Sequence, residues 1–294
     1  MAAVLAAALG AWPSVGLAAL VQPRLLSAAN YGAMAGSTIT NTGSTVITGK
    51  LALSPGSALT GFPPGVVTGG TDVANGAAVQ AQTDLTTAYN DAAGATPFID
   101  MSGQDLGGKT LIPGAYRFSS SAQLTGTLTL DGQGSTNATF IFQIGSTLTT
   151  ASGSRVVLLN GAGACAVFWQ VTTSATLGTG TSFQGNILAL SSITMTTGAI
   201  LGGRALARNG ALTLDTNTIT APPAACAFVA AAPPAPTATP TPTPTTSPTP
   251  VGLPNTGAAS GPTPDGLPWI PIALAGLITG ILVTSTVWRS RRRA

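Results

Sequence analysis

Val167-Phe-Trp-Gln-Val171, Asn186-Ile-Leu-Ala-Leu190 and Arg204-Ala-Leu-Ala-Arg208 open three successive units, about 19 and 18 residues apart. A second run follows each opening: Ser174-Ala-Thr-Leu-Gly178, Ser192-Ile-Thr-Met-Thr196 and Gly210-Ala-Leu-Thr-Leu-Asp215. A third closes each unit: Thr181-Ser-Phe-Gln-Gly185, Ala199-Ile-Leu-Gly-Gly203 and Thr216-Asn-Thr-Ile-Thr220. Three β-type runs per unit with glycine at the corners is the pattern of a triangular β-solenoid, mainly β and right-handed as parallel crossovers are. Such a fold presents the same side-chain positions coil after coil, one inter-strand spacing apart.

The same runs predict which faces are covered. Phe140-Ile-Phe-Gln-Ile144, Val167 to Val171 and Asn186 to Leu190 are almost continuously apolar, as strands covered on both sides are. Thr147-Leu-Thr149, Ser174-Ala-Thr176 and Thr194-Met-Thr196 alternate hydroxyl and apolar residues, which predicts one wet face. The expected cover is a single α-helix over 72–93, capped by Thr71 or Asp72. Its apolar residues Val73, Ala77, Ala81, Leu85, Ala88 and Tyr89 recur at about 3.6 residues, and it stops before Gly94. Upstream, Thr38-Ile-Thr40, Val46-Ile-Thr48 and Lys50-Leu-Ala-Leu53 are further β-type runs punctuated by Pro/Gly turns, so the solenoid domain is placed at 28–230.

Composition narrows the chemistry. The 294 residues are 44% apolar and only 6% charged, so the exterior is mostly Ser, Thr, Asn, Gly and Ala. The net charge of +3 comes from Arg289, Arg291, Arg292 and Arg293 at one end, and the remainder is slightly acidic, which argues against a nucleic-acid partner. There is no His and no Glu. General acid/base chemistry and zinc sites lose their commonest groups, and neither a metal nor a cofactor is expected. Cys165 and Cys226 fit a disulfide in an exported protein, the alternative being two small buried hydrophobes.

The ends read as targeting segments. Residues 1–20 are Ala/Leu-rich and finish in Gly16-Leu-Ala-Ala-Leu20, like a secretory signal without a basic start. Residues 231–252 form a Thr/Pro run, an extended stalk of polyproline type. Leu253-Pro-Asn-Thr-Gly257 follows, then an apolar stretch over 269–288 long enough for a transmembrane helix, then a basic tail over 289–293. This order resembles the sorting signal of cell-wall-anchored surface proteins. The resemblance implies cleavage between Thr256 and Gly257 by a cell-wall transpeptidase and linkage to peptidoglycan; the alternative is a retained membrane span. Both imply an extracellular, surface-anchored domain.

The body resembles a known family as well. Asn41-Thr-Gly43, Val46-Ile-Thr-Gly49, Leu53-Ser-Pro-Gly56, Gly61-Phe-Pro-Pro-Gly65, Gln80-Ala-Gln82, Leu85-Thr-Thr-Ala-Tyr89 and Asp105-Leu-Gly-Gly108 are similar to the ice-binding protein family with a discontinuous β-solenoid. Thr139 to Ile144, Val167 to Gln170, Gly185-Asn-Ile-Leu188 and Gly203-Arg-Ala-Leu206 carry the likeness on. The resemblance implies adsorption to an ice surface and no enzymatic activity.

A flat, uncharged face of hydroxyls at strand spacing suits that role. The outward set inferred from the alternation is Thr127, Thr129, Thr147, Thr149, Ser174, Thr176, Thr194, Thr196 and Thr213. The competing explanation is that Thr suits exposed strands through β-propensity and side-chain ladders alone. A second candidate is the corner series Thr150-Ala-Ser-Gly153, Thr179-Gly-Thr-Ser182 and Thr197-Gly-Ala-Ile200, which resembles a motif of active family members but departs from it at the last position. Two other functions compete: a glycan-binding adhesin module, and a polysaccharide-active β-helix enzyme built on Arg155, Arg204, Arg208 and Asp215.

Overall fold

The structure is a computed structural model that describes residues 20–223 except residue 136. The segment 1–19, Cys226, the stalk, Thr256 and Gly257 of the sorting signal, the apolar span over 269–288 and the basic tail lie outside the described residues. Among the described residues no helix is long and apolar enough to cross a membrane.

Every strand pairing is parallel, and the strands form three ladders around one interior. The first runs Phe98–Asp100, Gly114–Phe118, Phe140–Ile144, Val167–Val171, then the second halves of Ser182–Ala189 and Ile200–Ala207, then Tyr31–Ala35, Lys50–Leu53 and Thr71–Val73. The second runs Ala122–Leu124, Leu148–Thr150, Ala175–Leu177, Ile193–Met195, Leu212–Asp215, Thr38–Thr42 and Ala58–Thr60. The third includes Thr110–Leu111, Thr127–Asp131, Arg155–Leu159, Thr218–Thr220, Val46–Thr48 and Val66–Val67. The expected triangular solenoid is therefore present. Its repeat starts one residue later than the sequence pattern indicates: Phe168, not Val167, stands level with Asn186 and Arg204.

Rungs do not stack in chain order. The N-terminal coil lies on the last C-terminal coil, joined in all three ladders by Ala33 with Ala205, Ile39 with Leu212 and Val46 with Thr218. Thr71–Val73 ends the stack on one side and Phe98–Asp100 ends it on the other. Eight rung spacings separate them, about 38 Å. The helix Gly76–Ala93 makes that crossing along the first ladder, and its 18 residues cover about 27 Å.

The helix starts later than the expected 72. Thr71–Val73 is instead a coil strand paired with Leu51–Leu53, and Asn75 is the N-cap, its side chain accepting from the Ala78 N–H at 2.9 Å. Asp72 is committed elsewhere, accepting from Tyr31 Oη, Lys50 Nζ and Asn75 Nδ2. Ala78, Ala81, Leu85, Ala88 and Ala92 are fully buried against Ala52, Met34, Leu206, Leu188, Phe168 and Ile141. Four of these five helix residues are alanines, Leu85 being the exception, which lets helix and sheet approach closely.

Inside the coils, Tyr116, Phe142 and Trp169 stack on successive rungs, and Phe183 leans on Trp169 from another side of the coil. Tyr116 and Phe142 lie 5.4 Å apart, Phe142 and Trp169 3.9 Å, and Trp169 and Phe183 4.7 Å. Trp169 satisfies its indole N–H on the Gln184 carbonyl at 2.9 Å. Arg204, 1% exposed, closes the seam between first and last coils. Its guanidinium donates to the carbonyls of Ala29 and Pro222 and to Asn186 Oδ1, so both ends of the described chain are bound to one rung. Burial pushes this group down to about 10, which leaves it charged at neutral pH.

The same rungs restrict the corner beside Arg204. A Cβ built on Gly203 would meet the Gly185 carbonyl oxygen at 1.8 Å, whereas one built on Gly163 meets nothing within 4 Å. Gly203→Ala is expected to lower the unfolding free energy by about 1–3 kcal/mol, and Gly163→Ala to change it by no more than about 0.5 kcal/mol. Denaturant unfolding of both variants beside the parent chain checks this.

Candidate functional site

The second ladder carries the surface with the most regular chemistry. Its pairings keep one register from Ala122–Leu124 to Ala58–Thr60 without a shift. Ala122, Leu148, Ala175, Ile193, Leu212 and Ile39 point inward and are fully buried. The next residue on each strand therefore points outward. Gln123, Thr149, Thr176, Thr194, Thr213, Thr40 and Thr60 make that outward row, six threonines on consecutive rungs.

What distinguishes this row is the state of its hydroxyls. Among the described residues none of the six threonine Oγ1 atoms in the row makes a hydrogen bond to protein, although hydroxyls around them do. Ser121 and Thr147 pair at 2.8 Å, and Thr196 donates to the Leu177 carbonyl at 2.9 Å. Thr150 and Thr181, both buried at the corner, pair at 2.9 Å. The central hydroxyls are left for solvent, with their methyl groups at the same spacing of about 4.8 Å.

The inferred set is divided by the fold. Thr149, Thr176, Thr194 and Thr213 lie in the central row, while Thr147 and Ser174 stand just before the same strands. Thr196 stands on the opposite side of the row, turned to the backbone. Thr127 and Thr129 do not belong to this face: they sit on the third ladder, level with Arg155 and Val157. Local alternation in Thr127-Leu-Thr129 is the same on either face, so only the coil corner at Gly126, with φ of 90°, separates them.

Thr40 and Thr60 complete the row, and the sequence reading did not place them there. The alternation of Thr38-Ile-Thr40 signals a strand with one wet face, but only the pairing of Thr40 with Thr213 and Thr60 shows which face. The corner series is also corrected. Gly153 N–H donates to the Thr179 carbonyl and Gly180 N–H to the Thr197 carbonyl, which puts Ser152 rather than Thr150 level with Thr179 and Thr197. Thr197 in turn donates to Asp215 Oδ2, at the edge of the face.

The charged residues considered for catalysis are dispersed. Arg204 is buried on carbonyls, Arg208 lies over the Tyr89 ring and donates to Thr86, and Arg155 stands on the third ladder away from Asp215. No group of three metal-ligating side chains occurs among the described residues. Cys165 is not a free thiol, and Cys226, its expected partner, lies outside the described residues.

In class the protein is a parallel β-solenoid with a helix returning along one side and a threonine row on another. Comparison with known proteins gives the family: the chain matches the ice-binding-like family over residues 33–220 and belongs to it. It is 59% identical to an ice-binding protein of Nostoc over 66% of this chain and 72% of that one. It is 36% identical to ice-binding protein 1 of Shewanella frigidimarina, over 67% of this chain but only 26% of that longer protein. Among solved structures, an ice-binding protein from an Antarctic biological consortium shares 47% identity with a TM-score of 0.68, over 71% of this chain and 95% of that one. One from Antarctomyces psychrotrophicus shares 40% identity with a TM-score of 0.66, over 67% and 97%. The family and these neighbours are non-enzymatic.

Among the described residues one carboxylate, Asp105, stands in register at the end of the row beside Gln123; the other titratable groups lie off it. Asn75, Tyr31 and Lys50 hydrogen bonds hold the Asp72 carboxyl down to about 2 from 3.8, and the Arg24 hydrogen bond lowers Asp91. Carboxylates depressed in this way contribute stability that is complete above about pH 4 and is lost as pH falls towards 2. The melting temperature is therefore expected to fall below about pH 4, while ice partition stays level between about pH 5 and 9. Calorimetry and partition measured across the same buffers check both.

Proposed function

We propose that this chain adsorbs to ice through the row Thr149, Thr176, Thr194, Thr213, Thr40 and Thr60, without covalent chemistry. The observation that carries the reading is the set of unspent hydroxyls in unbroken register. Methyl and hydroxyl groups repeating at one spacing hold first-layer water in a fixed array, through hydrogen bonds to hydroxyls that no protein group competes for. The buried aromatic stack and the inward aliphatic row beneath keep the face rigid, so little conformational entropy is lost on adsorption. Membership of the ice-binding-like family and likeness to the ice-binding proteins of Nostoc and Shewanella frigidimarina support the same reading.

The flanking sequence supports a surface-held form of this activity. The Thr/Pro run over 231–252 is a spacer, and the pentapeptide at 253–257, apolar stretch and basic tail are the parts of a wall-sorting signal. Joined to peptidoglycan or retained in the membrane, the solenoid acts as an ice adhesin or a local inhibitor of recrystallisation on the cell exterior. Mass spectrometry of the mature chain is expected to end at Thr256; a chain continuing to Ala294 replaces wall linkage with a membrane span.

A bulky ring in the centre of the row separates the surface from a flat lattice. Thr176→Tyr and Thr194→Tyr are each expected to reduce ice-affinity partition by about tenfold, and Thr83→Tyr, on the exposed side of the helix, to leave it unchanged. Parent chain that stays in the liquid fraction refutes the reading.

A further inference from the structure

Arg117, Gln143 and Gln170 stand level on adjacent rungs of the first ladder, and the row continues as Leu188, Leu206 and Met34. The helix buries the apolar end of this row and stops at Ala93. Its polar end becomes one wall of a cleft of about 260 Å³, with Tyr89 and Ala93 on the other side.

The two glutamines are 6% and 4% exposed, yet each has half of its amide unspent. Gln143 Nε2 donates to the carbonyls of Ala92, Ala93 and Ala95 at 3.0, 3.1 and 2.8 Å. Only the nitrogen can sit among three carbonyl oxygens, so the orientation of this amide is fixed by chemistry. Gln170 Nε2 donates to Tyr89 Oη at 2.7 Å and to Thr172 Oγ1 at 3.4 Å. Neither Oε1 has a hydrogen-bond partner among the described residues, and both side chains line the cleft.

The charge around the cleft selects against ions of either sign. The exposed Arg117 guanidinium, 4.8 Å from the Phe98 ring, stands level with the Asp100 carboxylate on the neighbouring strand, so the rim offers no net charge to an ion. The helix-end carbonyls are held by Gln143 Nε2, and the two amide oxygens left facing the cleft only accept, which disfavours an anion. A neutral group rich in hydroxyls meets both conditions. Its O–H groups donate to the two Oε1 atoms, its oxygens accept from Arg117, and the Ser119 hydroxyl serves in either sense, the Thr172 proton being held by the Ile144 carbonyl. The volume lies just under the range for drug-sized ligands, about 300 Å³ upward, and so suits a single ring rather than a chain of them.

We propose that this cleft is a binding site for one neutral sugar residue, free or at the end of a glycan, separate from the threonine face. The test titrates isotope-labelled full chain with glucose, galactose, mannose and N-acetylglucosamine, following the glutamine side-chain amide signals by NMR. A second arm uses dextran, with and without free glucose as competitor, to tell a polymer end from a free sugar. The expected result is a saturable shift of the Gln143 and Gln170 amides with at least one sugar. Arg117→Ala and Gln170→Leu should each weaken it by about tenfold, and ice partition of both variants should equal that of the parent. Arg117 is exposed, so the first variant keeps the fold even if the second melts earlier. No saturable shift with any of the sugars, or the same affinity in Arg117→Ala as in the parent, overturns the proposal. Loss of ice partition in the parent bears only on the threonine face.

Discussion

The architecture depends on the parallel seam that joins the first coil to the last. Ala33, Ile39 and Val46 pair with Ala205, Leu212 and Thr218, so all three sides of the triangle are continuous across residues far apart in sequence. Arg204 secures this junction from within by binding the Ala29 and Pro222 carbonyls. A buried guanidinium on neutral acceptors is costly to leave unpaired, which ties its stability to the presence of both chain segments. The seam also explains the helix. Once the N-terminal coil is placed on the C-terminal end, the chain must return the length of the stack. A helix does so with its own backbone groups satisfied.

Hydroxyl groups divide into two populations on this scaffold. At corners and strand ends they are consumed in holding the coil: Thr150 with Thr181, Thr45 with the Asn217 N–H, Thr172 with the Ile144 carbonyl. Along the centre of one face they are not consumed at all. Threonine content by itself does not distinguish the two, because β-propensity favours both. The distinction lies in whether a backbone group is within reach, and in mid-strand the ladder has already paired every backbone group nearby.

Charge is distributed in keeping with that face. The ion pairs Arg24–Asp91 and Lys50–Asp72 link the N-terminal segment and first coil to the helix and its approach, on the covered side of the solenoid. Such exposed pairs contribute little stability each. Their position leaves the six threonines themselves uncharged, with Asp215 at the margin of the row and Asp105 beyond Gln123 at its end. A fixed charge reorients the water around it, so the centre of this face leaves its first water layer free of such a field.

The sequence alone determined the architecture and the chemistry of the exposed runs. A period near 18 residues, glycine at corners and alternation in Ser174-Ala-Thr176 or Thr194-Met-Thr196 are local properties, and local side-chain direction follows from strand geometry. The helix was legible through Ala81, Leu85 and Ala88, although its start was not, because Thr71-Asp72-Val73 suits a strand as well as a cap and the open edge at Leu51–Leu53 made it a strand. Tertiary structure decided which hydroxyls share a plane. It moved Thr127 and Thr129 to another face through one corner, and it brought Thr40 and Thr60 into the row from the opposite end of the chain. The physical reason is that strand partners in a discontinuous stack are chosen by burial of the open ends, a property of the whole solenoid that no single run encodes.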